Sequence, residues 1–235
     1  MECDPSERVP RTPAVKICGL MHPEDARAAA HAGADYLGVI ASSGFSRSVE
    51  PEDAATLFSG IDRPLVAVTV DERPNDAARI AEIVGASVIQ LHGAEDRASV
   101  EALRVLGSWT VWKAVRARTL DDVFDTVGAL HDVVDGFLVE GWREGVVGGA
   151  GARVALAGDP VRNAVPRDRS FVLAGGLTPD NVLDAMARFA PDVVDVSSGV
   201  EREVGRKDHA LIVRFIAQAR GTIAIPPDTP DDART

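Results

Sequence analysis

The sequence predicts an α/β protein folded as a single closed (βα)8 barrel, the TIM-barrel arrangement of eight parallel strands inside a ring of helices. Three observations carry that expectation. Short apolar runs alternate with amphipathic segments, and the alternation repeats eight times. The runs are almost continuously apolar, as strands buried on both faces of a parallel sheet must be. No GxGxxG turn follows the first run, so the signature of the competing open, doubly wound sheet is missing.

The units follow in order. AVKICGL (14–20) precedes HPEDARAAAHAG, where Ala26, Ala29 and Ala30 mark one helical face and Gly33 the stop. YLGVI (36–40) is followed by a loop to Val49 and the helical EPEDAATLFSG. PLVAVTV (64–70) leads into RPNDAARIAEIVG, whose Ile80, Ile83 and Val84 fit a buried stripe. SVIQLHG (87–93) leads into EDRASVEALRVLG, and TVWKAVRA (110–117) into TLDDVFDTVGALHDV. After DGFLVEG (135–141) come a glycine-bearing loop and a weakly helical 154–165. RSFVLAGG precedes TPDNVLDAMARFA, and VVDVSSG leads to KDHALIVRFIAQARG. The expected organisation is a loose N-terminal segment (1–13), one barrel domain (14–221) and an acidic, proline-containing tail (222–235).

Composition narrows the function. The chain has 235 residues, with 36 acidic against 25 basic, for a formal net charge of −11. That balance argues against nucleic acid, whose binding rests on basic contacts to phosphates. It leaves room for a small anionic substrate, because a pocket can be positive inside an acidic protein. No apolar stretch approaches the ~18 residues that span a bilayer, and MECDPSERVPRTP lacks the apolar core of a signal peptide. Two cysteines, Cys3 and Cys18, make no disulfide framework, so a soluble cytoplasmic protein is expected. The five histidines never form HxH or HExxH, so no metal is expected.

Polar residues gather where the strands end, which in this fold is the active-site face. AGGLTP (174–179) offers Gly175 and Gly176, and DVSSGVE (195–201) offers Asp195, Ser197, Ser198 and Gly199. Each could be only a tight turn. At adjacent strand ends, glycine N–H groups and serine hydroxyls together suit a phosphate. Cys18 ends the first strand; a free cysteine is ordinarily a small buried hydrophobe, but here it precedes Gly19 at the mouth. Lys16 points to the same side, one layer deeper. Glu140 ends the sixth strand, either as a solvated carboxylate or as a general acid. A thiol and a carboxyl facing across a mouth can move a proton between neighbouring atoms of a sugar phosphate, which needs neither metal nor redox cofactor. Arg47, in GFSRSV, has the planar fork that suits a carboxylate. His92, in QLHG, is a hydrogen-bonding wall residue or simply a polar strand end. Ser197 and Ser198 lack a GxSxG context, which disfavours a hydrolase.

With KICGL, the Arg47 loop, QLHG, AGGLTPDNV and DVSSGVE followed by GRKD, the chain resembles phosphoribosylanthranilate isomerase over roughly residues 14–219. The resemblance implies a ribulose-phosphate-binding barrel that performs the Amadori rearrangement of N-(5-phosphoribosyl)anthranilate in tryptophan biosynthesis. By position it implies Cys18 as general base at ribose C2 and Arg47 as holder of the anthranilate carboxylate. It implies a phosphate resting on Gly175, Gly176, Ser198 and Gly199, with Asp195 and Ser197 on the same wall. The implied partner is therefore a small phosphorylated molecule with an aromatic carboxylate, handled by a monomer or homodimer.

Three departures stand out. The family's general acid is an aspartate, where this chain has Glu140. Its GGTG loop ending in Asp-Trp is GGAG (148–151) followed by RVAL. Its Ser-Pro before the arginine is Phe45-Ser46. Two alternatives stay open at this point: a related phosphosugar barrel with another substrate, or a catalytically weak barrel that binds a phosphoanion or a partner. The histidine-pathway relative would show aspartates at the first and fifth strand ends, where this chain has Cys18 and KAVRA. The indole-forming relative would need a lysine acid, where this chain has Glu140.

Overall fold

The structure is a computed structural model that describes residues 12–141 and 156–221. Cys3, most of the N-terminal segment, the whole 222–235 tail, and the GGAG loop with the start of RVAL lie outside the described residues.

Eight parallel strands close into a barrel in chain order. They are β1 (Ala14–Ile17), β2 (Tyr36–Ile40), β3 (Leu65–Thr69), β4 (Val88–Leu91), β5 (Thr110–Ala117), β6 (Gly136–Gly141), β7 (Ser170–Leu173) and β8 (Val193–Val196). The last pairs with the first, Ala14 opposite Val193 through Ile17 opposite Val196, so no sheet edge is left open. The helices between and after them are α1 (Pro23–Ala32), α2 (Pro51–Leu57), α3 (Pro74–Val84), α4 (Arg97–Leu106), α5 (Leu120–Leu130), α6 (Gly158–Ala164), α7 (Val182–Phe189) and α8 (His209–Ala219).

Strand alternation divides the core in two. Val66, Val68, Val88, Trp112, Ala114, Leu138 and Val172 fill the barrel, with Tyr36 edge-on to Trp112. Their neighbours, such as Val15, Ile17, Val39, Ile89, Phe137 and Phe171, pack outward against the helices. Local signals start the helices: Pro23, Pro51 and Pro74 occupy first turns, Asp96 and Asp208 cap α4 and α8, and Thr119 with Asp122 forms a capping box on α5.

Two details differ from expectation. The face that α3 buries is Ala77, Ala78, Ala81 and Val84, while Ile80 and Ile83 are only half-buried. Small side chains let this helix lie close to the sheet, so alanine takes the inner line and isoleucine its margin. The second is a hairpin after β8, β9 (Glu201–Glu203) with β10 (Arg206–Lys207), which the eight-unit reading passed over. Its strands are short and charged, so no apolar run announces it. Among the described residues no helix is long and apolar enough to cross a membrane.

Candidate active site

All ten residues singled out in the sequence line one cavity of about 260 Å³ at the carboxyl ends of the strands. They reach it from β1, β4, β6, β7, β8 and the loop after β2.

Cys18 follows β1, its backbone N–H held by Val196 O at 2.8 Å. Lys16, on the same face, is fully buried and donates to Asp195 Oδ1 at 3.0 Å, directly across the β1–β8 register. Gly38 leaves them room: a Cβ there would lie 3.0 Å from Cys18 Sγ and 3.2 Å from Lys16 Nζ. Burial acts against the Lys16 ammonium, but Asp195 and Cys18 outweigh it and its proton is held above the ordinary range. Burial pushes the Cys18 thiol up, and the Lys16 charge opposes that push. Burial prevails and holds the thiol above its ordinary range, and the lysine is the main influence pulling it back.

Arg47 does not stand free. Its Nε and one terminal nitrogen donate to the two carboxylate oxygens of Glu201, at 2.8 and 2.7 Å, a bidentate fork. Its other terminal nitrogen has only Ser46 Oγ, at 3.3 Å. Lys207 Nζ reaches Glu201 at 2.9 Å and Ser197 O at 3.1 Å. Burial raises Glu201, but the two cations prevail and hold it below the usual carboxylate range; burial also leaves Lys207 below the usual lysine range. Two cations and one anion leave this buried cluster net positive, beside the mouth of an acidic protein.

The loops after β7 and β8 are built to touch. A Cβ on Gly199 would sit 1.8 Å from Leu177 O, so only glycine permits the approach. Gly175 and Gly176 both have positive φ, at 88° and 62°. Asn181 ties the first loop, donating to Gly176 O at 2.8 Å and accepting from Thr178 N at 2.8 Å. Among the described residues, the backbone N–H groups of Gly175, Gly176, Ser198 and Gly199 donate to no other group. Ser197 Oγ is buried without a partner. A concave seat of unspent donors suits an anion. Asp195, on the same wall, is occupied with Lys16.

Across the mouth, Glu140 Oε1 meets His92 Nε2 at 2.9 Å, and His92 Nδ1 meets the Gln90 side-chain nitrogen at 2.9 Å. All three are buried. Gln90, Glu201 and Lys207 were not singled out in the sequence. Period-2 alternation along QLHG was the available signal for Gln90, since residues 90 and 92 share a face. Nothing local marks Glu201 or Lys207 beyond their motif.

The family model for N-(5'phosphoribosyl)anthranilate (PRA) isomerase matches residues 15–218. The N-(5'-phosphoribosyl)anthranilate isomerase of Symbiobacterium thermophilum is 39% identical over 228 residues, covering 88% of this chain and 98% of its own. Among solved structures, a monomer form of the dimeric Thermotoga maritima phosphoribosylanthranilate isomerase has a TM-score of 0.75 at 32% identity, over 89% of this chain and 99% of that one. A phosphoribosyl anthranilate isomerase in complex with reduced 1-(o-carboxyphenylamino)-1-deoxyribulose 5-phosphate has a TM-score of 0.74 at 32% identity, with the same coverage of 89% and 99%.

Proposed function

The chain belongs to the N-(5'-phosphoribosyl)anthranilate isomerase family, and on that premise we propose that Cys18 is the base and Glu140 the acid of its rearrangement. The reaction is the intramolecular conversion of N-(5'-phosphoribosyl)anthranilate to 1-(2-carboxyphenylamino)-1-deoxyribulose 5-phosphate, a step of tryptophan biosynthesis. Glu140 gives a proton to the ribose ring oxygen as the C1–O bond breaks and the nitrogen lone pair forms C1=N. Cys18 then takes the proton from C2, and the C–H electrons make C1=C2 while the nitrogen becomes neutral. The enol loses its hydroxyl proton, C1 gains one, and the ketone stands at C2. Nothing is oxidised or reduced overall.

The observation that carries this division is the meeting of a thiol, a carboxyl and two separate anion seats around one cavity. The phosphate rests on the amides of Gly175, Gly176, Ser198 and Gly199, with Ser197 Oγ beside it. The anthranilate carboxylate meets the outer nitrogens of Arg47, whose inner edge Glu201 holds. His92 lines the anthranilate side of the mouth. The reading extends to a cytoplasmic enzyme, monomeric or homodimeric; phosphorylated intermediates are kept inside cells, and the Thermotoga maritima relative is a dimer from which monomers were made.

The test is rescue of a tryptophan auxotroph lacking this isomerase, followed by fluorescence decay of the anthranilate substrate with purified protein. Cys18→Ala abolishes turnover, and Glu140→Gln lowers kcat by about 10²–10⁴-fold. Either variant at the wild-type rate sinks its assigned role. A wild-type chain that binds the reduced product analogue without turnover is a binding barrel instead.

A further inference from the structure

Glu140 does not stand alone at the mouth. Its Oε1 is drawn to His92 Nε2 at 2.9 Å, and the far ring nitrogen is held by Gln90 at 2.9 Å. Gln90 and His92 lie two residues apart on one face of the β4 exit, and Glu140 projects from β6 across the β5 position. We propose that the acid of this mouth is the Gln90–His92–Glu140 chain, with His92 and Gln90 as positioning residues that aim Glu140's carboxyl and relay the proton it passes to the ring oxygen. The proposal rests on Glu140 being the acid.

The chemistry follows from ordinary proton affinities. A lone glutamic acid gives up its proton near pH ~4.3, so few molecules would carry it at neutral pH; an imidazole gives up its own near ~6.5. A hydrogen-bonded carboxyl and imidazole titrate together, and the last proton belongs to the pair. The proton between Oε1 and Nε2 is therefore a property of the chain, and replacing either neighbour of the carboxyl changes how it is lost.

Gln90 makes the pair two-state. With its amide nitrogen donating to Nδ1, the ring hydrogen sits on Nε2 and points at an ionised Glu140: the proton-empty form. In that arrangement Gln90 Oε1 is buried without a partner. A half-turn of the amide lets this oxygen accept from Nδ1–H, which frees Nε2 to share the acid proton: the loaded form. Donation of the shared proton to the ribose ring oxygen leaves Nδ1–H beside an ionised carboxylate, and exchange of the ring proton with water, Nδ1 losing one and Nε2 gaining one, with the amide turning back, restores the first form. One turnover leaves a proton on Cys18 and removes one from the pair, and exchange with water restores both.

Other charged and titratable groups face the pair. Across the cavity, Asp195 is bound to Lys16, Arg47 to Glu201, and the Cys18 thiol is held up by burial. On β5, Arg116 stands in register with Glu140. Behind the β4 exit, Glu95 accepts from the backbone of Gly93 and Asp71, and Asp71 Oδ1 from Ala94. All are unchanged in the variants below.

The experiment compares kcat–pH profiles of the full chain at saturating substrate for wild type, His92→Asn and Gln90→Glu. Affinity for the reduced product analogue and thermal unfolding are measured alongside. His92→Asn moves the alkaline limb toward acid by about one unit or more and lowers kcat above neutrality by about tenfold, a change at saturating substrate that weaker binding alone does not produce. Gln90→Glu places a charged acceptor against Nδ1–H, stabilises the loaded ring and moves the limb to higher pH. An unmoved limb in His92→Asn, or a shift of both variants in the same direction, overturns the chain while leaving Glu140 as the acid. If His92→Asn does not fold, Gln90→Glu decides: a limb that stays or falls overturns it. Glu140→Gln at the wild-type rate overturns the underlying assignment and the chain with it.

Discussion

The wall made by β1 and β8 and the wall made by β4 and β6 face each other across one mouth, yet they hold their groups by different means. On the first, every charge has a buried counter-charge: Lys16 with Asp195, and Arg47 and Lys207 with Glu201. On the second, Gln90, His92 and Glu140 are joined only by hydrogen bonds between groups that can be neutral. Ion pairs between groups far from neutrality in their titration keep their signs over the working range of pH. A histidine–carboxyl bond has a proton donor and a proton acceptor that can exchange roles. On the proposed assignment the difference separates two tasks: the β1–β8 wall supplies a fixed field for an anionic substrate and the thiol, and the β4–β6 wall supplies the proton for the ring oxygen.

The largest effect on turnover expected from breaking the fixed wall comes from Lys16→Met. Burial pushes Cys18 up, and the Lys16 charge is the first influence pulling it down. Without that charge the thiol rises further, and Asp195, which also pushes it up, loses its partner. Both changes have the same sign, so less thiolate is present at any pH. We expect kcat to fall by about a hundredfold, and the pH curve of Cys18 alkylation by iodoacetamide to move to higher pH. A curve that stays put or moves down would show that the wall does not set the thiol.

Glu201→Gln gives a smaller and differently placed effect. Arg47 keeps its positive charge but loses the carboxylate that fixes its plane. KM rises by about tenfold, near 1.4 kcal/mol of lost uniform binding, while kcat changes little. The alkaline limb of kcat stays where it is, because the opposite wall is untouched. A fall in kcat at constant KM would mean that the two walls are coupled.

What was legible in the sequence follows the same division. Glycine pairs, a cysteine at a strand end and a Ser-Ser-Gly turn are local signals, and with the expected closure of eight strands they point to ten residues that line one cavity. The partners that hold those residues are not local. Arg47 and Glu201 are 154 residues apart, and Lys16 and Asp195 are 179 apart. Only the pairing of β8 with β1 makes them neighbours. Glu201 and Lys207 also sit on a hairpin of charged residues, which an apolar-run reading cannot detect. The alanine face of α3 escaped for a related reason, because hydrophobicity ranks isoleucine first whereas close approach to the sheet favours the smaller side chain.

A third buried lysine–carboxylate pair tests whether place or pairing gives the β1–β8 wall its role. Lys113 Nζ lies 2.9 Å from Glu95 Oε2, both side chains about 5% exposed or less, as enclosed as Lys16 and Asp195. Lys113 shares the outward face of β5 with Val111 and Val115, whereas Lys16 points inward beside Cys18. Glu95 accepts from Asp71 N and Gly93 N at 3.0 Å, and Lys113 donates to Gly93 O at 2.7 Å, so the pair ties together the exits of β3 and β4. Lys113→Met strands a buried carboxylate and costs about 3–5 kcal/mol of stability, read as a lowered Tm by calorimetry, with kcat and KM unchanged in the folded enzyme. Replacing both partners, Lys113→Met with Glu95→Leu, removes the stranded charge and recovers much of that loss. Gly93 follows His92 directly, so a moved pH limb in Lys113→Met would show that this tie also sets the ring. An unmoved limb with a lowered Tm shows that a buried ion pair shapes the chemistry only where it faces the mouth.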